Sequence, residues 1–197
     1  MKRRKKSIST EKLVTLALLT AMVAILAYYG GFIKIGGFAS ISLTLIPVVI
    51  GATLCGSLAG AWLGGVSGAI FFATPDAAFW LGLSIPGTII TVMMKGILSG
   101  LCAGLVYKLL EKFNRYLAVI ASAVICPIVN TGLFLLGSVI FFMDNVTAGA
   151  EANGINAFAF LIVFYVGLNF VFELLVNIVT SPAIIKILDI AKKKRRV

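Results

Sequence analysis

Long apolar stretches, broken by short polar or glycine-rich punctuation, run from residue 13 almost to the end of this 197-residue chain. The runs are far too long for strands and do not alternate, so the pattern predicts helices. Six are placed: 13–32, 42–54, 58–72, 86–109, 116–143 with Pro127 inside it, and 157–187 with Pro182 near its end. The first run has about the length needed to cross a bilayer. It exceeds the apolar core of a cleavable signal and lies in a chain that stays apolar, so it reads as a retained span. The second and third are short. At 1.5 Å per residue each covers only about 20 Å, which fits short spans in a thinned bilayer or a re-entrant pair.

Charge turns this pattern into a topology. Of the seventeen Lys and Arg residues, fifteen fall in three places: Lys2 to Lys6 with Lys12, then Lys108, Lys112 and Arg115, then Lys186 with Lys192 to Arg196. Six spans put all three on one side of the bilayer, as the positive-inside rule requires, and leave the outer loops with Asp76, Asp144 and Glu151 against Lys34. The expected architecture is an all-α integral membrane protein, a compact bundle of six transmembrane helices with both termini cytoplasmic. It forms a single domain over 1–197, with a basic N-terminal segment at 1–12 and a basic tail at 191–197. Composition agrees, with 60% apolar and 12% charged residues. A net charge of +10 would suggest nucleic acid in a soluble chain. Here the basic residues flank apolar spans, so no nucleic-acid partner is expected and lipid headgroups account for them.

Small residues recur at helical spacing: Gly56, Gly60, Gly64 and Gly68 through the third helix, and Gly96, Gly100 and Gly104 in the fourth. Such faces let helix backbones approach closely in lipid, and internal packing is the plainer account of them. The first helix carries another small-residue face, Ala17, Thr20, Ala21 and Ala24. On physical grounds it packs inward or docks a partner.

Ionisable residues inside a membrane are costly and persist mainly where they face a cavity or a partner. Two qualify, Lys95 and Glu173. Lys95 lies nine residues below Pro86, about 14 Å into the bilayer, on a stripe of Thr88, Thr91, Lys95, Ser99 and Cys102. Asn169, Glu173 and Asn177 make a second stripe on the sixth helix, and Asn130 with Thr131 sits near mid-depth on the fifth. Together the three helices are expected to wall a polar cavity. The competing account pairs Lys95 with Glu173 and makes the Asn residues interhelical glue. Depth counts against that pairing, since a straight sixth helix puts Glu173 about 10 Å deeper than Lys95. The loops at 73–87 and 144–156 offer a lid over such a cavity. Within the first of them Phe79 and Trp80 also fit the interfacial aromatic belt.

Enzyme signatures are missing: there is no phosphate loop, His-Glu-x-x-His, Gly-x-Ser-x-Gly or close carboxylate pair, and no histidine at all. Cys55, Cys102 and Cys126 show no paired spacing. No catalytic role, metal or cofactor is expected. Without a nucleotide site, uphill transport would need ion coupling or an ATPase partner.

Four blocks carry a resemblance to a known family: 15–24 (TLALLTAMVA) after the basic start, 41–68 (ISLTLIPVVIGATLCGSLAGAWLGGVSG), 95–107 (KGILSGLCAGLVY) and 130–137 (NTGLFLLG). Together they resemble the substrate-binding S components of energy-coupling factor (ECF) transporters, small six-helix proteins of prokaryotic plasma membranes that capture vitamins. The second block, with Pro47, the Ile-Gly-Ala step and the Gly-Ser-Leu-Ala-Gly hinge, is the most specific. The resemblance implies that Ala17 and Ala21 match an Ala-x-x-x-Ala pattern that meets a transmembrane coupling subunit, with two cytoplasmic ATPases completing the complex. It also implies an outward-facing vitamin site on helices four to six, capped by loops after helices one, three and five. Lys95, Thr91, Asn130 and Asn169 occupy such helices by position, Trp80 and Phe38 lie in the loops, and Glu173 lies too deep on a straight helix.

The second and fourth blocks look most like the branch with pantothenate-type transporters, and a cationic Lys95 suits a carboxylate. Helices four to six show no evident stacked aromatic set, which disfavours a large flat ring, so riboflavin or folate are the alternatives within the family. Outside it stand an ion-coupled secondary transporter or channel using Glu173, and a structural subunit with no ligand.

Overall fold

The computed structural model describes residues 10–30 and 42–194, and the regular elements among them are all helical. They are α1 (Thr10–Gly30), α2 (Leu45–Cys55), α3 (Ser57–Phe71), α4 (Pro75–Leu83), α5 (Ile85–Leu110), α6 (Arg115–Phe141), α7 (Met143–Ala152) and α8 (Ala157–Phe160). α8 runs on into a π-helical segment (Leu161–Val166), and α9 (Asn169–Lys194) closes the described chain. Phe38, Lys34, Lys2 to Lys6, Arg195 and Arg196 lie outside the described residues.

Two features depart from the expected layout. The stretches read as loops at 73–87 and 144–156 each hold a helix, α4 and α7. Pro75 starts α4 because a proline gives up no hydrogen bond in a first turn. Ser84 then turns the chain in an extended conformation and caps α5, its Oγ accepting from the Gly87 N–H at 3.2 Å. The second departure is at the last helix, which is broken where a straight run over 157–187 was expected. Gly167 has φ 52, a left-handed conformation that glycine adopts without strain, and α9 begins two residues later.

Among the described residues four helices, α1, α5, α6 and α9, are long and apolar enough to cross a membrane. Two bent pairs pass the same test when taken together: α3 with α4, bent by 84°, and α7 with 157–166, bent by 99°. Six spans are reached only if each bent pair is one span. The eleven-residue α2 covers about 16 Å, short of a full hydrocarbon core, as a short span in a thinned bilayer or one arm of a re-entrant pair would be.

α3 and α5 cross antiparallel with their backbones in contact. A methyl group built on Gly60 or Gly64 would overlap the carbonyl of Gly100 or Gly96, the reverse substitutions would do the same, and one on Gly104 would strike Ser57. Hydroxyls tie neighbouring helices to this pair: Ser122 Oγ donates to the Ala103 carbonyl at 2.8 Å, and Ser67 Oγ donates to Thr44 Oγ1 at 2.9 Å.

Among the described residues most buried apolar side chains fall into two clusters. One gathers Val23, Val48, Val49, Leu63, Ala103, Val119, Cys126, Ile184 and Leu188. The other gathers Trp80, Phe134, Phe142, Val146, Phe160, Leu161 and Tyr165. Along α6, Asn130 separates Cys126 from Phe134, and along the last helices Asn169 and Glu173 separate Tyr165 from Ile184. The polar residues therefore form a layer between two greasy ones. Beyond the first cluster is the basic end, where Arg115 Nη1 meets Asp189 Oδ1 at 2.6 Å and Lys12, Lys108 and Glu111 line one cleft.

The glycine seam yields a direct test. Gly64→Val is expected to destabilise the protein by about 1–3 kcal/mol, the usual cost of overpacking, whereas Gly82→Ala, where an added methyl meets nothing, is expected to be neutral. Thermal unfolding of the two variants in the same detergent checks the contrast.

Candidate solute-binding chamber

α5 supplies the centre of the polar layer. Its glycine face is committed to α3, so the residues beside that face point between the helices. Thr88, Thr91 and Ser99 are buried there, and Lys95 is half-buried. Three adjoining cavities meet at this level, and Lys95 and Ser42 are in the walls of all three. One extends between α1, α2 and α3 past Thr44, Ser67 and Gly68. A second runs under α4, past Asp76, Trp80, Thr88, Thr91 and Phe134. The third runs toward the broken last helix, past Asn130, Thr131, Tyr165, Asn169 and Glu173. They make one chamber with Lys95 at its junction.

The ammonium of Lys95 lies 4.8 Å from the centroid of the Phe134 ring, within the range of a cation–π contact. It forms no salt bridge with Glu173. The Glu173 carboxylate instead accepts a hydrogen bond from the backbone N–H of Ser42, Oε1 to N at 2.7 Å. Even so, Glu173 and Asp76 both lie close enough for their charge to act on Lys95. The pairing weighed from the sequence is thus absent as a direct contact, and the depth argument against it is corrected as well. Because the helix restarts at Asn169, Glu173 is one turn into α9 and not sixteen residues down a straight rod. It shares a cavity wall with Lys95.

An aromatic set closes the α4 side. Trp80 is only 4% exposed and packs edge-on to Phe134 and Tyr165, both with ring centroids at 5.3 Å, and against Phe142 at 5.6 Å. Thr88 Oγ1 donates to the Trp80 carbonyl at 2.6 Å, holding α4 down on α5. The interfacial-belt account of Trp80 therefore fails, and the expected lack of aromatics on the later helices is corrected by Phe134 and Tyr165. Neighbouring Phe79 is 47% exposed.

The chamber brings together Lys95, Asn130, Asn169, Thr91 and Trp80. It adds Ser42, Phe134 and Tyr165, which sequence reasoning had not named, and it includes Glu173, which that reasoning put on the cavity stripe but too deep, and Asp76 from the loop at 73–87. Thr91 Oγ1 is buried with no hydrogen-bond partner among the described residues. Ala17 and Ala21 stand apart, exposed on α1; Leu18, Met22 and Ile25 are exposed on the same helix, and its buried residues are Leu19, Val23 and Gly30. Among the described residues no cluster of His, Cys, Asp and Glu suits a metal ion.

A family model described as "ECF transporter, substrate-specific component" matches residues 11–185. The chain belongs to this family. The S component is accordingly a substrate-binding subunit of a membrane transporter and not an enzyme, and it is a multi-pass protein of a prokaryotic plasma membrane. No curated protein and no solved structure matches it.

The buried position of Trp80 predicts a contrast between the two tryptophans. Trp80→Ala is expected to cost about 3–5 kcal/mol. Trp62→Ala, at a side chain 58% exposed, is expected to change stability by about 1 kcal/mol or less. Thermal unfolding followed by fluorescence of the remaining tryptophan checks both.

Proposed function

We propose that this S component captures a small water-soluble vitamin bearing a carboxylate, of the pantothenate type, from outside the cell. The observation that carries the proposal is Lys95, a cation held at the junction of three cavities without a salt bridge to a described residue. A half-buried ammonium left unneutralised by direct contact is ready for an anionic solute, and a charge-assisted bond to a carboxylate is among the stronger contacts open to it. Asn130, Asn169 and Thr91 supply hydrogen-bonding groups around the solute, and Trp80 covers its apolar part. Trp80 packs edge-on to Phe134 and Tyr165, and those two rings stack on each other; riboflavin and folate are the alternatives within the family.

The proposed topology has six spans with both termini cytoplasmic, so that the end carrying Lys12, Lys108 and Arg115 faces inward and α4 and α7 face out. Delivery requires partners. Ala17 and Ala21, exposed on a helix that buries little, are proposed to dock a transmembrane coupling subunit served by two cytoplasmic ATPases.

Purification in detergent followed by mass spectrometry of the retained small molecules tests the binding role. A carboxylate vitamin is expected in the wild type and not in Lys95→Ala, and titration should show affinity lower by about 10- to 100-fold, the worth of one charged hydrogen bond. An empty wild-type protein that moves ions unaided in liposomes would contradict the proposal. Ala17→Leu with Ala21→Leu is expected to leave solute binding intact and abolish co-purification with the coupling subunit; a double variant that still assembles would contradict the docking role.

A further inference from the structure

Glu173 is the chamber residue whose presence the capture of an anion does not explain. It is 6% exposed, lies in one wall with Lys95, Asn130 and Asn169, and accepts a hydrogen bond from Ser42 N–H through one oxygen. An ionised carboxylate has about four lone-pair sites and can only accept. Ser42 occupies one of them, and among the described residues no other hydrogen bond reaches the group. A solute that offered only an anion would therefore set a second carboxylate beside Glu173 in a low-dielectric space, where like charges repel strongly.

That imbalance disappears if the solute also brings hydrogen-bond donors. We propose that the chamber selects a bifunctional solute, with an anionic group at Lys95 and a hydroxyl or ammonium donor at Glu173, and that Glu173 is the residue that reads the donor. The inference rests on the binding role proposed above and narrows its substrate class. It also gives the Ser42 contact a function. By fixing one carboxylate oxygen, the backbone N–H orients the side chain and leaves the second oxygen to the solute. A site built to bond a solute donor rejects the analogue that lacks it, because its own buried acceptor is then left unpaired.

The test compares two probes on the full-length protein in detergent: pantothenate, which carries a carboxylate and two hydroxyls, and the analogue in which both hydroxyls are replaced by hydrogen. Calorimetric titration of the wild type is expected to favour pantothenate by about 10-fold or more, the effect of one hydrogen bond to a charged group. Glu173→Gln is expected to reduce that preference to about 3-fold or less, whereas Lys95→Met weakens both probes and leaves their ratio unchanged. A Glu173→Gln protein that keeps the wild-type ratio while binding both probes more weakly would show that Glu173 only supports the fold, and would overturn the proposal. If the wild type binds neither probe, the pantothenate reading fails by itself. The molecule retained on purification then decides the further inference: one with both an anionic group and a donor, whose binding falls at least 10-fold in Glu173→Gln, upholds it, and any other overturns it.

Discussion

No side chain separates α3 from α5. Gly60 faces Gly100 and Gly64 faces Gly96 at backbone distance, and close contact of this kind is what holds helices together where lipid supplies no hydrophobic drive. The consequence for the site is positional. Once the glycine edge of α5 is fixed against α3, neighbouring Lys95 is directed into the space bounded by α2, α6 and α9, and Thr88, Thr91 and Ser99 follow it on the same side. A bulky residue in the seam would rotate or lift α5 and carry Lys95 away from Asn130.

The polar layer persists because its members serve one another without fully neutralising one another. Phe134 offers its ring face to the Lys95 ammonium, the Ser42 amide bonds Glu173, and Asn177 Nδ2 donates to the Glu173 carbonyl at 2.8 Å. What is left over is a cation and carboxylates facing a common space. Groups of this kind are expensive to bury, and a solute that completes their bonding offsets that expense when it binds.

Much of this was legible in the sequence. Apolar run length located α1, α5 and α6, and the four-residue glycine repeats marked the faces that meet. The stripe rule put Thr91 and Lys95 on one side of α5. Three things were not legible. Gly167 carries no signal that separates a break from the glycines that sit inside helices elsewhere in the chain, so the last helix was drawn straight and Glu173 was placed too deep. The helical character of 75–83 was hidden because Pro75, Gly82 and Pro86 read as turn punctuation, although a proline in a first turn is equally a helix start. The aromatic set was missed because Trp80, Phe134 and Tyr165 come from three separate elements, and periodicity within one helix says nothing about which rings will meet. Trp80 could have been suspected from Asp76 four residues earlier, an acidic residue in an otherwise apolar stretch.

The most direct test of the central claim is a ligand-bound structure of the purified protein at a resolution that shows the solute. The account predicts solute density at the junction of the three cavities, with an anionic group within hydrogen-bonding distance of Lys95 Nζ and Trp80 packed over its apolar part. Solute density elsewhere, or a saturated protein in which Lys95 closes a salt bridge with Glu173 and the solute touches neither, would contradict it.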